Sequence, residues 1–411
     1  MNEWKTYTLK DLSKGKGEYG IGAPSIPFDK DKLTYLRITD INDDGTLNKS
    51  GLTSVDAVDA SKYLLDNNDI VFARTGNSTG RSYFYDGSDG PLIYAGFLIR
   101  FRLDDSKVNP RILKYYTHSK PYYDWVQSFD TGGTRGNINA KTYGDMPITL
   151  PPRHVQDRIV DILYSLDAKI ENNRRINDNL EQQAQALYKS WFVDFEPFKD
   201  GDFIDSEMGS IPRGWKIGKI KDIIDLLSGF PFKSSDFTKN GEYQLITIKG
   251  VQDGYLDVTS ADRLSYLPSK MPHYCILKIG DILISLTGNV GRICIVDRKD
   301  LLLNQRVAIV SPKNKRDSFY AYTMFRNDSF KNELIHLARG TAQLNLSPVE
   351  TVDKLTIIPP DTILEDFAKI GQDIFKQYVS TKMENIKLCE MRDSLLPKLM
   401  SGELKINEID C

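Results

Sequence analysis

"DMPITLPPRHVQDRIVDI" runs from Asp145 to Ile162, and "DKLTIIPPDTILEDFAKI" runs from Asp353 to Ile370. Each begins as a short β-rich apolar stretch, passes through a proline pair, and continues as a charged segment with apolar residues at helical spacing. Proline removes a ladder donor and biases the preceding residue toward extended backbone, yet it is accepted in the first turn of a helix. The same transition written twice, about half a chain apart, reads as an internal repeat. Each copy is then a strand-rich globule that ends in a long helix.

Both helical segments carry a seam. From Ile159, the residues Leu163, Leu166, Ile170, Asn173, Asn177, Leu180, Ala184, Leu187 and Trp191 follow in alternating steps of four and three. That is the a/d spacing of a coiled coil, with polar and charged flanks. The second seam is less regular: Phe367, Ile370, Ile374, Tyr378, Thr381, Asn385, Leu388, Met391, Leu395 and Leu399. Thr362 and Glu365 offer a capping box at its start, and Gly402 a C-terminal stop. At 1.5 Å per residue each segment is a rod of roughly 55–60 Å. A stripe that long cannot be buried on a small globule, so its expected partner is its own repeat, in an antiparallel pair. Asn173 and Thr381 occupy equivalent positions, as do Asn177 and Asn385. A pseudo-two-fold axis across the rods would bring these polar residues into one layer and set the globules at opposite ends.

The globules correspond as well. "TYLRITDINDDG" (Thr34–Gly45) matches "QLITIKGVQDG" (Gln244–Gly254), and "LDNNDIVFARTGNSTGRS" (Leu65–Ser82) matches "LKIGDILISLTGNVGRI" (Leu277–Ile293). "YAGFLIRF" (Tyr94–Phe101) falls opposite "NQRVAIVS" (Asn304–Ser311), and "GGTRGNIN" (Gly132–Asn139) opposite "RGTAQLNLS" (Arg339–Ser347). Short strands separated by Gly, Asn and Asp turns predict a mixed α/β fold of the α+β type. The expected domains are a first globule at 1–150, a helix at 151–198, a hinge with the second globule at 199–358, and a second helix at 359–411.

Composition bounds the reading without deciding it. The 411 residues suffice for two or three domains, and the formal net charge of −2 neither announces nor excludes a nucleic-acid binder. No apolar run is long enough for a membrane span and the first residues lack a signal-peptide core, so the expected location is cytoplasmic. Cys275, Cys294, Cys389 and Cys411 form no CxxC pair and read as reduced thiols. The four histidines have no catalytic companion, and no metalloprotease, nucleophile-elbow or zinc spacing occurs. "GNSTGRS" (Gly76–Ser82) has too few residues between its glycines for a phosphate loop, and Arg81 where lysine belongs. The chain is expected to have no catalytic residues and no metal.

What recurs is a strand ending in a polar, glycine-containing loop. In the first half such loops hold Arg37, Thr39, Arg74, Thr75, Asn77, Ser78, Arg81, Arg135 and Asn137. In the second they hold Thr247, Lys249, Thr287, Asn289, Arg292, Gln305, Arg306, Arg339, Thr341 and Gln343. Arg and Lys can contact guanine O6/N7, Asn and Gln can pair with adenine N6/N7, and loop N–H groups suit phosphates. Solvated turns would explain one such loop; two at corresponding places point to a DNA-binding surface. Arg81 and Arg292, just after the shared glycine, are read as phosphate-positioning, and Arg74 and Arg135 as base-reading.

With "TGN…GR" in both halves, "LPPRHVQ", "LYKSWFVDFEP" (Leu187–Pro197), "MGSIPRGW" (Met208–Trp215) and "LLPKLMSGEL" (Leu395–Leu404), the chain resembles the specificity subunits of type I restriction-modification systems along its whole length. It departs from the family at Val155, where an acidic residue is usual, and "PPDTILEDF" has no counterpart of Gln156. The resemblance implies two target-recognition domains, each reading half of a bipartite, asymmetric double-stranded DNA site, spaced by the helical pair. It also implies a non-catalytic chain that joins two modification subunits, which carry S-adenosylmethionine and methylate adenine N6. Restriction subunits that use ATP and Mg would translocate and cleave the DNA. The alternative from the residues alone is an interaction scaffold of two β domains on a rod, without a DNA role.

Overall fold

The computed structural model describes residues 4–129, 136–340 and 343–404. The chain divides into two compact units, residues 1–169 with 388–411, and residues 170–387. Both divisions fall inside long helices, so each unit is a β-rich globule with a stretch of each helix.

The first unit holds β1 (Lys5–Thr8), β2 (Glu18–Tyr19), β3 (Ser25–Pro27), β4 (Leu33–Leu36), β5 (Thr53–Val55), β6 (Asp69–Ala73), β7 (Ser82–Tyr85), β8 (Leu92–Tyr94) and β9 (Leu98–Arg102). After these come α1 (Pro110–Tyr116), α2 (Lys120–Gln127), α3 (Ala140–Gly144), β10 (Pro147–Leu150) and the start of α4 (Arg153–Tyr188). One sheet has the order β2-β9-β6-β7, all antiparallel. A second has the order β3-β5-β4-β8, in which β4 and β8 run parallel. β1 pairs with β10 and closes the globule at the proline transition.

The second unit repeats this plan. A hairpin of β11 (Phe203–Ser206) and β12 (Gly209–Pro212) precedes β13 (Lys216–Lys219), β14 (Ile224–Ser228), β15 (Tyr243–Ile246), β16 (Arg263–Leu264), β17 (Ile282–Ser285), β18 (Ile293–Ile295), β19 (Leu301–Leu303) and β20 (Val307–Pro312). Then follow α5 (Ser318–Arg326), α6 (Asp328–Leu337), α7 (Pro348–Asp353), β21 (Leu355–Ile358) and α8 (Asp361–Ser401). The order β14-β20-β17-β18 reproduces the first sheet strand for strand, and β15 runs parallel to β19 as β4 does to β8. β13 pairs with β21 as β1 does with β10.

The central strands are apolar on both faces because both faces are covered. Ile70 and Phe72 of β6 pack with Ile112 and Tyr122 of the helices, while Val71 and Ala73 pack with Leu36 and Leu92 of the second sheet. In the repeat, Ile282 and Ile284 join Phe319 and Phe325, and Leu283 joins Ile246 and Leu303. A period of two thus splits each strand between two cores.

Within each unit the two long helices run antiparallel. In the first, Ile159 and Leu163 of α4 share a core with Leu396 and Leu399 of α8, and Asp167 meets Arg392. In the second, Asn173 meets Asn385 and Asn177 meets Thr381. The first seam follows its sequence pattern as far as Ala184; at its end Leu187 and Trp191 are half-buried, and Tyr188 and Phe192, beside and within a π-turn at Lys189–Val193, are buried instead. The second departs from its own pattern: Ile370 and Met391 are exposed, and their places are taken by buried Gly371 and half-buried Arg392. The corrected steps, Leu364, Phe367, Gly371, Ile374, Tyr378, Thr381, Asn385, Leu388, Arg392, Leu395 and Leu399, alternate three and four without a break. α8 begins at Asp361, so Thr362 lies inside its first turn rather than before it. Gln156 at the start of α4 is buried, accepts from the Asn109 backbone N–H at 3.0 Å and donates to the Pro151 carbonyl at 2.8 Å. In the second copy the matching place is filled by buried Leu364.

Candidate nucleic-acid interface

The shared "TGN…GR" segment is a tight connection between β6 and β7, and again between β17 and β18. Gly76 and Gly80 have φ of +72° and +86°, and Gly288 and Gly291 of +75° and +76°, so much of this motif is turn chemistry. In the first copy the Gly80 N–H donates to Ala73 and the Ala73 N–H to Arg81; in the second the Gly291 N–H donates to Ser285 and the Ser285 N–H to Arg292. Asn77 and Asn289 stand exposed at the tips, whereas Ser78 is buried and Thr75 half-buried.

Most of the sequence-selected arginines are tied down by partners within their own unit. Arg37 donates from Nε and Nη2 to both carboxylate oxygens of buried Asp40, at 2.9 and 2.7 Å, and from Nη2 to the Gly51 carbonyl at 3.0 Å. Its guanidinium is held even more firmly in the charged state, chiefly by the Asp40 hydrogen bond. Arg81 donates to Asp43 at 2.7 Å and to the Ile41 carbonyl at 3.0 Å, holding the loop after β4. Its mate Arg292 donates to Gln252 Oε1 at 2.6 Å, holding the corresponding loop after β15. Arg339 pairs with Glu350 at 2.6 Å on the surface. Thr39 and Lys249 are exposed, and Thr247 is half-buried at the place of Arg37. Arg135 and Thr341 lie outside the described residues.

Backbone hydrogen bonds match the two copies residue by residue. The Arg74 N–H donates to Phe97 and the Leu286 N–H to Arg306; the Ile138 N–H donates to Arg74 and the Leu346 N–H to Leu286. The Gly20 N–H donates to Leu98 and the Gly229 N–H to Val307. Tyr19, Arg74, Phe97 and Asn137 therefore correspond to Ser228, Leu286, Arg306 and Asn345. The stretches "YAGFLIRF" and "NQRVAIVS" match one residue away from the sequence alignment, with Ala95 at the place of Asn304 and Phe97 at that of Arg306.

These four positions form one strip in each unit. In the first, the Arg74 guanidinium lies over the Tyr19 ring at 5.0 Å and its Nε donates to Asn137 Oδ1 at 3.3 Å. Phe97 stands beside it, 60% exposed. In the second, Thr287 Oγ1 donates to Asn345 Oδ1 at 2.9 Å, and Leu286 is buried. There the strip opens into a cleft of about 510 Å³ that brings Thr287, Gln305, Arg306 and Gln343 together with Ser228 and Asn345.

The family model for the type I restriction modification DNA specificity domain matches residues 1–182 and 212–388, one match to each copy of the repeat. The chain belongs to this family. Among curated relatives, it is 27% identical over 303 residues to the MjaIX specificity subunit of Methanocaldococcus jannaschii, covering 72% of this chain and 69% of that one. It is 25% identical to the HindI specificity subunit of Haemophilus influenzae, covering 98% of this chain and all of the other. The crystal structure of the type I restriction-modification S subunit from M. genitalium shares the fold, with a TM-score of 0.58 at 16% identity over 97% of this chain and 96% of that one.

Within this specificity-domain pair, sequence reasoning missed Tyr19, Phe97, Ser228 and Asn345. Tyr19 and Phe97 look like ordinary strand residues and become visible only through their 43% and 60% exposure. Asn345 carries a signal. The pairs Asn137–Ile138 and Asn345–Leu346 fall at the same place in the repeat, with Ile138 and Leu346 both turned into the core.

Proposed function

We propose that this chain is the DNA-recognition subunit of a type I restriction-modification assembly, each β-rich unit reading one half of an asymmetric bipartite site. The observation that carries this is a single scaffold used twice with different side chains on equivalent strip positions. A shared frame places a side chain at the same height over the duplex, while its chemistry decides which base edge it accepts. Small loop residues and backbone N–H groups around the strip suit phosphate contacts that set register.

In this reading the paired helices set the spacer between half-sites and receive two modification subunits. Methylation with S-adenosylmethionine, and ATP- and Mg-dependent translocation and cleavage, lie with the modification and restriction subunits. Methylome sequencing of a host with and without this gene tests the proposal. The expected result is a bipartite motif whose halves differ and whose methylation vanishes with the gene. A palindromic motif, or no change, would count against it.

A further inference from the structure

The strip narrows which side chains meet base edges. Arg37 and Arg81 spend most of their donors on Asp40 and Gly51 and on Asp43 and Ile41, Arg292 gives Nη1 to Gln252, and Arg339 pairs with Glu350. Two strip guanidiniums differ from these. Arg74 uses only Nε, on Asn137, and its face rests on Tyr19, so among the described residues both terminal nitrogens are open. Arg306 is exposed, and among the described residues its side chain has no hydrogen-bond or ion-pair partner.

The two arginines do not occupy equivalent places. Where the first copy has Arg74, the second has Leu286, only 4% exposed; where the first has the projecting Phe97, the second has Arg306. The guanidinium has moved over by one strip position. The flanking amide follows this change. Asn137 Oδ1 accepts from Arg74, but Asn345, where Leu286 stands at the place of Arg74, accepts from Thr287 instead and lines the cleft with Gln305 and Gln343.

We propose that Arg74 and Arg306 are the specificity-determining guanidiniums, each taking the O6/N7 edge of a guanine in its own half-site, and that Phe97 contacts a thymine methyl beside the guanine of Arg74. This rests on the DNA-recognition reading above. A planar fork matches the two guanine acceptors, and an apolar ring matches the thymine methyl. Asn137 and Tyr19 hold the Arg74 fork before DNA arrives, which lowers the ordering cost of binding.

The test uses the assembled complex with its modification subunits. Methylomes are compared for the wild type and for Arg74→Ala, Arg74→Lys, Phe97→Ala and Arg306→Ala. Loss of one bidentate contact should relax one base position by about 5- to 150-fold. Arg74→Ala and Phe97→Ala should relax neighbouring positions of one half-site, and Arg306→Ala a position of the other. Arg74→Lys should keep the salt dependence of binding yet weaken the guanine preference, because an ammonium lacks the planar fork. Variants that methylate too weakly to map are scored by selecting DNA from pools randomised in one half-site. Unchanged base frequencies for Arg74→Ala and Arg306→Ala, or both variants relaxing the same half-site, would overturn the proposal. A wild type without any bipartite motif would instead sink the DNA-recognition reading beneath it.

Discussion

Asn173 Nδ2 donates to Asn385 Oδ1 at 2.9 Å in the seam between α4 and α8, and four residues on, Thr381 Oγ1 donates to Asn177 Oδ1 at 2.6 Å. Because Asn173 is the repeat-mate of Thr381 and Asn177 of Asn385, the two contacts exchange under a local pseudo-two-fold operation. Asn173 is fully buried and Asn385 also donates to the Ile170 carbonyl, so the layer is polar inside an apolar seam. Such layers cost stability and fix register. Asn173→Leu alone should cost about 1–3 kcal/mol, because Asn385 Oδ1 and Glu384 Oε2 both lose the Asn173 donor. The N173L/N385L pair should recover part of that, since it removes the stranded Asn385 acceptor and Asn173 Oδ1 already lacks a partner among the described residues. Urea denaturation of the single and double variants measures both. Lengthening both helices by one heptad beside this layer adds about 10 Å, or about 3 bp of duplex, and should lengthen the methylated spacer while both half-sites persist.

Gly371→Ala reverses the usual sign of a glycine replacement in a helix. In an exposed helix interior, alanine is better than glycine by about 1 kcal/mol. Here a Cβ would fall 1.8 Å from Cδ1 of Phe319, whose ring is buried and stacked on Phe367 at 5.1 Å. Both rings are buried, so the variant should lose about 1–3 kcal/mol from overpacking. Thermal unfolding that showed a gain would mean the Phe319 pocket is looser than its contacts imply.

How much of the fold and the strip is legible in the sequence follows from where each signal sits. The first seam is readable as far as Ala184 because its buried residues there are the apolar and Asn residues at heptad spacing, whereas at its end, around a π-turn, Tyr188 and Phe192 face inward in place of Leu187 and Trp191. The second misleads at Ile370 and Met391, since hydropathy favours them over Gly371 and Arg392. Phe319 from α5 fills the space at Gly371, and Asp167 from α4 takes Arg392; neither partner is near in sequence. The strip is harder still, because Tyr19, Arg74, Phe97 and Asn137 come from four separate segments and meet only through strand register. By contrast, the capture of Arg37 by Asp40 is a local i,i+3 pair, written within the four letters "RITD".

Arg81→Ala separates a loop tether from a phosphate contact. The guanidinium already spans Asp43 and the Ile41 carbonyl, and Arg292 does the same work through Gln252. Truncation should therefore weaken binding to all sequences alike and raise hydrogen exchange across Asn42–Gly45. The slope of log affinity against log salt should stay nearly constant. A drop of about one in that slope would place Arg81 on a phosphate instead.

The last prediction concerns pH and the junction of α1 with the helix pair in the first unit. Asp167 of α4 accepts from Lys114 Nζ at 2.8 Å, from the Tyr115 hydroxyl at 3.1 Å and from Arg392 Nη1 of α8 at 3.2 Å. Burial pushes this carboxyl up, but Lys114 and then Arg392 outweigh it, and its pKa lies below the ordinary aspartate value. A depressed folded pKa means the folded state binds fewer protons than the unfolded chain as pH drops past the ordinary value of about 3.9. The stabilisation is thus complete above that value and is lost as pH falls through the folded pKa. Asp167→Asn leaves Lys114 and Arg392 facing one another without their shared anion, and should cost about 1–3 kcal/mol at neutral pH. The penalty should shrink below about pH 4, where protonation removes the same charge from the wild type. Urea denaturation of both proteins between pH 3 and pH 7 decides it: a difference that did not narrow toward acid would mean Asp167 contributes through shape and not through charge.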